Sequence, residues 1–337
     1  MICDPNHNDL DDESALVVVA SMIRLKYIKL LAAIIANTNP ETKRASVARG
    51  LMDLLGFDKV AVGIGDRVTQ YPEPFPDEPL IPYMYQGDDL PDGKELLLDT
   101  LRKARNNSIT IVVQAAMTEI MWLLKDHGSL FLTKVKRVVF MGGVAPELSE
   151  EGFILPGDAM NVHFDKEAAA YCYHTLQLMR VPMTITTRNA TFKAMLNHKI
   201  FKKMGIVGES FESRVGRNTQ RFWVSCCSPE NSKERGKLSM SRNREWFVNT
   251  FCGGIDPGIK DGENILPFIV NDAWPQYDPL NLIASVPLLR DIFFKTKVVK
   301  VGGVKHLVIG WSAEEHGVRS TPKTVSFLES LLEFGSK

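Results

Sequence analysis

The chain lacks a charge excess of either sign: 40 Lys and Arg stand against 40 Asp and Glu, a formal net charge of zero. Proteins that grip nucleic acid or an anionic membrane surface usually carry a basic excess, so neither partner is expected. No apolar run reaches the roughly 18–20 residues of a membrane span. Cysteine is sparse. Cys3, Cys172, Cys226, Cys227 and Cys252 form an odd set without metal-finger spacing, which reads as reduced thiols in a cytoplasmic protein. A secretory signal is not expected either, because acids appear at once in Asp4, Asp9, Asp11 and Asp12. What is present is ordinary globular composition, 45% hydrophobic over 337 residues, enough for a large core.

Short β-rich runs alternate with helical patterns. The runs are Tyr27–Ala36, Val60–Gly63, Ile109–Val113, Val135–Met141 and Val181–Thr187; helices are expected near 12–25, 41–55, 92–106, 117–127 and 165–178. Such alternation predicts a single α/β domain with a central, mostly parallel sheet flanked by helices. Nearly continuous apolar runs such as Ile109–Val113 fit strands buried on both faces. Only Met1, Ile2 and Cys3 precede Asp4, so the first strand is either stunted or cut short by an incomplete N-terminus. Residues 205–265 are polar with weak periodicity and read as a lid or insertion. A hairpin, Lys297–Val301 with His306–Ile309 across Gly302-Gly303, and a last helix near 322–333 close the pattern.

Chemistry concentrates in Cys3-Asp-Pro-Asn-His-Asn-Asp-Leu-Asp-Asp-Glu13. Four aspartates fall there just before a helix. Helix-dipole capping accounts for one or two acids; more of them repel one another unless a cation sits among them. Carboxylate oxygens select Ca²⁺ or Mg²⁺ over zinc. A helix-loop-helix calcium site is ruled out, because counting from Asp4 its required Gly and Glu positions hold Asp9 and Ala15. His7 is either a proton carrier near the cation or a loop residue paired with a carboxylate.

Five elements in order resemble the inosine/uridine-preferring nucleoside hydrolase family. They are Asp4-Pro with Asp11-Asp12-Glu-Ser-Ala-Leu16; Ile109–Thr118, similar to a strand ending in Gly-Pro-Leu-Thr-Asn; Val135–Gly143, ending in Met-Gly-Gly; Gly152–Asn161 with Phe164-Asp165 and Glu167-Ala-Ala169; and Tyr277-Asp278-Pro279-Leu280. The resemblance implies a Ca²⁺-dependent hydrolase that splits the N-glycosidic bond of a ribonucleoside, and a homodimer or homotetramer. It implies Asp4, Asp12, the Thr118 carbonyl and Asp278 as metal ligands. Asp4 and Asp11 would carry catalysis, and Asp11, Asn37, Asn161 and Asp278 would bind substrate.

Four departures qualify the match. The longer gap from Asp4 to Asp11-Asp12 leaves Asp4 and Asp9 both open as the first ligand. Phe153 stands where the family has Asn, and Ala159 where it has a sugar-binding Glu. Tyr277 replaces a His that helps protonate the leaving base. Each lost hydrogen-bonding group in a desolvated pocket costs about 1–3 kcal/mol. A weakly active or non-catalytic small-molecule-binding member therefore remains an alternative. An aspartate-dependent phosphohydrolase is weaker, because Asp4-Pro5-Asn6 lacks the second acid that class needs.

Overall fold

The computed structural model describes residues 1–5, 10–68, 81–227 and 243–337. The candidate residues Asp9 and His7, and residues 228–242 of the expected lid or insertion, lie outside the described residues. The strands of the main sheet are β1 (Ile2–Cys3), β2 (Ala33–Ala36), β3 (Ala61–Ile64), β4 (Ile109–Val113), β5 (Val135–Met141) and β6 (Met183–Thr186). A small pair, β7 (Leu196–Asn197) and β8 (Ala273–Trp274), stands apart, and the hairpin β9 (Lys297–Val301) and β10 (Val304–Ile309) completes the set. Among the described residues the main sheet runs β3-β2-β1-β4-β5-β6-β10-β9. Every pairing in it is parallel except β9 with β10.

The helices are α1 (Asp11–Arg24), α2 (Glu41–Leu54), α3 (Gly93–Lys103), α4 (Thr118–Asp126), α5 (Gly128–Lys134), α6 (Met160–Phe164) and α7 (Lys166–Leu178). They continue with α8 (Arg188–Thr191), α9 (Gly205–Cys227), α10 (Arg244–Phe251), α11 (Tyr277–Ser285), α12 (Pro287–Phe293) and α13 (Thr321–Gly335). Two apolar clusters fill the layers on either side of the sheet. One joins α1, α2, α11 and α13, and the other joins α3, α4 and α7. Among the described residues no helix is long and apolar enough to cross a membrane.

The strand order places the site. Successive strands step outward from β1 to β3 on one side and from β4 to β6 on the other. The reversal falls between β1 and β4, and in open parallel sheets ligands bind in the crevice outside the carboxyl ends at such a point. Asp4 follows β1 there, and Gln114 follows β4.

Two boundaries differ from expectation for physical reasons. Strand β2 keeps only the last four residues of the run Tyr27–Ala36. Lys26 closes α1 at φ 63°, and the turn beyond it leaves Leu30 74% exposed. Residues Gly205–Cys227 form a regular 23-residue helix. Its inward face includes Arg214, Thr219 and Ser225 beside Val207, Phe211 and Trp223, so polarity does not track burial and the periodicity is masked. Trp223 and Phe247 are fully buried in a satellite core with Phe251 and Ile265.

Candidate metal centre

Two helix N-termini converge on the crevice. Helix α1 opens with Asp11, Asp12 and Glu13, and α11 carries Asp278 in its first turn. The positive end of a helix dipole favours carboxylates at both places. Helix α11 is buried from Asp278 through Ala284 because it packs on α1 and on β4, β5 and β6. Asn281, one turn past Asp278, pins it to the strand ends. With Nδ2 turned toward Phe140 O (3.0 Å) and Thr186 Oγ1 (3.1 Å), its Oδ1 accepts from the Met141 N–H at 3.1 Å. Gln114 Nε2 donates to the Asp278 carbonyl at 2.5 Å.

Asp11, Asp12 and Asp278 meet in one group. They are 7%, 3% and 3% exposed, and a carboxylate oxygen of each lies within 4.8 Å of the others. The Asp12 N–H donates to Asp11 Oδ1 and the Asp4 N–H to Asp12 Oδ1, each at 3.0 Å. Asp4 is also buried, with Arg44 Nη1 3.6 Å from its Oδ2. Burial first, then the charges of Asp11, Asp12 and Asp4, push the Asp278 carboxyl well above the ordinary carboxylate range. Such a set of hard oxygen donors is unfavourable as bare anions and fits a hard divalent cation. The donor chemistry does not choose between Ca²⁺ and Mg²⁺.

The other expected residues make contacts of their own. Thr118 is the first residue of α4, and its hydroxyl donates to Asp165 Oδ2 at 2.9 Å. Asn37, just after β2, is fully buried, and its amide donates inward to Ala116 O (3.1 Å) and Glu119 Oε2 (2.6 Å). Asn161, in α6, donates to Met141 O at 3.1 Å. Tyr277 adjoins Asp278 and meets the Phe192 ring edge-on at 6.2 Å.

Two departures are now clearer. Phe153 packs its ring against His174 at 5.3 Å. Asp158, next to Ala159, is held by His163 (2.8 Å) and Arg188 (2.6 Å) on the surface, so it does not stand in for the missing Glu.

Sequence reasoning missed Glu119, which is fully buried and ties three strand-end loops together. Its Oε1 accepts from the Asp66 N–H at 2.8 Å and its Oε2 from Asn37. Gly65 passes so close that a Cβ there would lie 2.6 Å from Glu119 Oε1. The signal was present, since Glu119 stands where the Thr-Asn turn has Asn.

The model for the family described as inosine-uridine preferring nucleoside hydrolase matches residues 2–302. The chain belongs to this family. Three solved structures are similar to it in fold. The type III effector protein XopQ, solved in complex with adenosine diphosphate ribose, is 22% identical with a TM-score of 0.81, covering 100% of this chain and 92% of its own. The purine-preferring ribonucleoside hydrolase of Gardnerella vaginalis is 15% identical with a TM-score of 0.59, covering 100% and 98%. The inosine-uridine preferring nucleoside hydrolase of Bacillus anthracis is 12% identical with a TM-score of 0.57, covering 99% and 98%. At these identities the likeness establishes the nucleoside hydrolase fold. No curated protein sequence matches the chain significantly.

Proposed function

We propose that the protein hydrolyses the N-glycosidic bond of a ribosyl compound, releasing a base and a free ribosyl product, with one divalent cation held by Asp12 and Asp278 beside Asp11 and Asp4. The observation that carries this reading is the convergence of Asp11, Asp12 and Asp278 within 4.8 Å at the sheet's reversal point. When bound, the cation supplies Lewis acidity that lowers the pKa of a water toward neutrality. The protein does the rest. Asp4 or Asp11 takes the proton from the attacking water. Asp11 and Asn161 hold the ribose hydroxyls, and the donation from Asn161 to Met141 O fixes that side chain's pose. The carboxylates face the positive charge that develops on the sugar as the C–N bond breaks. Calcium, the ion that the family resemblance implies, is the one proposed, since the donor set itself fits either Ca²⁺ or Mg²⁺.

A second reading is recognition without efficient turnover, and Ala159 favours it, since the side chain that would grip the sugar is missing and Asp158 is engaged elsewhere. The ADP-ribose complex of XopQ makes a ribosyl diphosphate worth including as ligand. The deciding assay incubates purine and pyrimidine nucleosides and ADP-ribose with enzyme and calcium and follows free base by chromatography. Base release abolished by Asp12→Ala supports hydrolysis. Tight binding of one of these compounds without base release supports the second reading.

A further inference from the structure

Glu13 directly follows Asp12, yet among the described residues it is not part of the acid group. Its side chain is 0% exposed and is gripped by Arg214 of α9, 1% exposed. Nη1 donates to Oε1 at 2.8 Å and Nη2 to Oε2 at 2.5 Å. Tyr83 closes the arrangement, donating its hydroxyl to Glu13 Oε1 and accepting from Arg214 Nη1 at 3.0 Å. A buried ion pair is weak evidence for stability, because apolar replacements of similar volume often do as well or better. Its value here is geometric.

Two features give it that value. Leu10, at the N-cap of α1, supplies no side-chain cap, and the Glu13–Arg214 pair adds a tertiary anchor to the first turn. Glu13 is also a further carboxylate beside three others, and without its own cation it would repel them or join their ion. Farther along, α9 places Phe222 against Trp274, with ring centroids 6.4 Å apart, just upstream of Asp278. Helix α9 thus touches the chain on both sides of the acid group.

We infer that Arg214 is a positioning residue for the cation site. Its bidentate grip on Glu13 fixes the first turn of α1, keeps Glu13 from coordinating the ion, and sets the spacing of Asp11 and Asp12 from Asp278. The inference rests on the cation reading proposed above.

Arg214→Met alone would strand a buried charge, so the informative variant is Glu13→Met/Arg214→Met, with Arg214→Lys as the conservative partner. Leu101→Ala, a core truncation in α3, controls for lost stability. Calcium affinity is measured by calorimetric titration on cooperatively folded protein. The expected result is affinity weakened about tenfold or more in the double variant, partly restored in Arg214→Lys, and unchanged in Leu101→Ala. Wild-type affinity in the double variant and in Arg214→Lys overturns the inference. Hydrogen exchange of amides 277–281 in calcium-free protein is the second readout. Faster exchange in both Arg214 variants than in Leu101→Ala supports positioning, and no difference contradicts it. If the wild type takes up no calcium, the cation reading fails by itself, and the exchange result still decides whether Arg214 orders the acid group.

Discussion

Asp12 and Asp278 come from opposite ends of the chain, yet their carboxylates lie within 4.8 Å of each other and of Asp11. Hydrogen bonds to neighbouring backbone hold the arrangement, and the resulting concentration of negative charge governs how the protein responds to pH, to substitution and to cations.

The first prediction concerns pH. Asp278 has a carboxyl raised in the folded state, by burial and then by its acid neighbours. The native state therefore holds its proton more tightly than the unfolded chain does. Between the ordinary carboxyl value of 3.8 and the raised folded value, stability falls as pH rises. Cation-free protein in chelator should lose melting temperature through that window, and calcium should flatten the slope. Melting curves from pH 4 upward, with and without calcium, check this.

Asp278→Asn should separate fold from cation. Removing one of the crowded anions relieves repulsion, so the cation-free variant should melt at or above the wild type near neutral pH. It should gain nothing from calcium, whereas the wild type should gain several degrees. A saturating ligand at 100 times its dissociation constant adds about 2.7 kcal/mol. Paired thermal melts measure both effects.

Glu119 gives a separate test away from the cation. Its carboxyl is pushed up to about 7, chiefly by burial, against the opposing pull of hydrogen bonds from Asp66 and Asn37. This group also makes the protein less stable as pH rises from 4.5 to about 7. Glu119→Gln should remove that part of the slope. It should also destabilise by about 1–3 kcal/mol at pH 5, because the new amide sets N–H groups against N–H donors from Asp66 or Asn37. Urea melts of Asp278→Asn and of the Glu119→Gln/Asp278→Asn double variant, at pH 5 and pH 8, isolate the contribution.

Much of the fold was legible because the buried strands advertise themselves. Ile109–Val113 and Val135–Met141 appear residue for residue, since their buried portions, Ile111–Val113 and Val138–Met141, are continuous apolar runs. Gly205–Cys227 was not read as a helix, and its buried residues mix Arg214, Thr219 and Ser225 with Val207, Phe211 and Trp223. The acids were visible as an N-terminal cluster and one distant Asp-Pro, but their meeting depends on which strands are neighbours. Thr118 was assigned by motif position, and the structure places it as the first residue of α4. Asn37 was placed at the correct strand end, but its bond to Glu119 involves two residues with no local pattern in common.

Asp11→Ala and Asp12→Ala should differ if Asp11 serves the reaction more than the ion. Asp12→Ala should abolish both calcium stabilisation and base release. Asp11→Ala should lower base release by orders of magnitude while keeping some calcium-dependent stabilisation. Turnover assays run beside thermal shift on the same preparations give the comparison.

The most direct measurement is a calorimetric titration of chelator-treated protein with calcium, repeated for Asp12→Ala and Asp278→Asn. The account predicts one calcium bound per chain in the wild type and none in either variant. Absence of binding in the wild type, or unchanged binding in both variants, would contradict it.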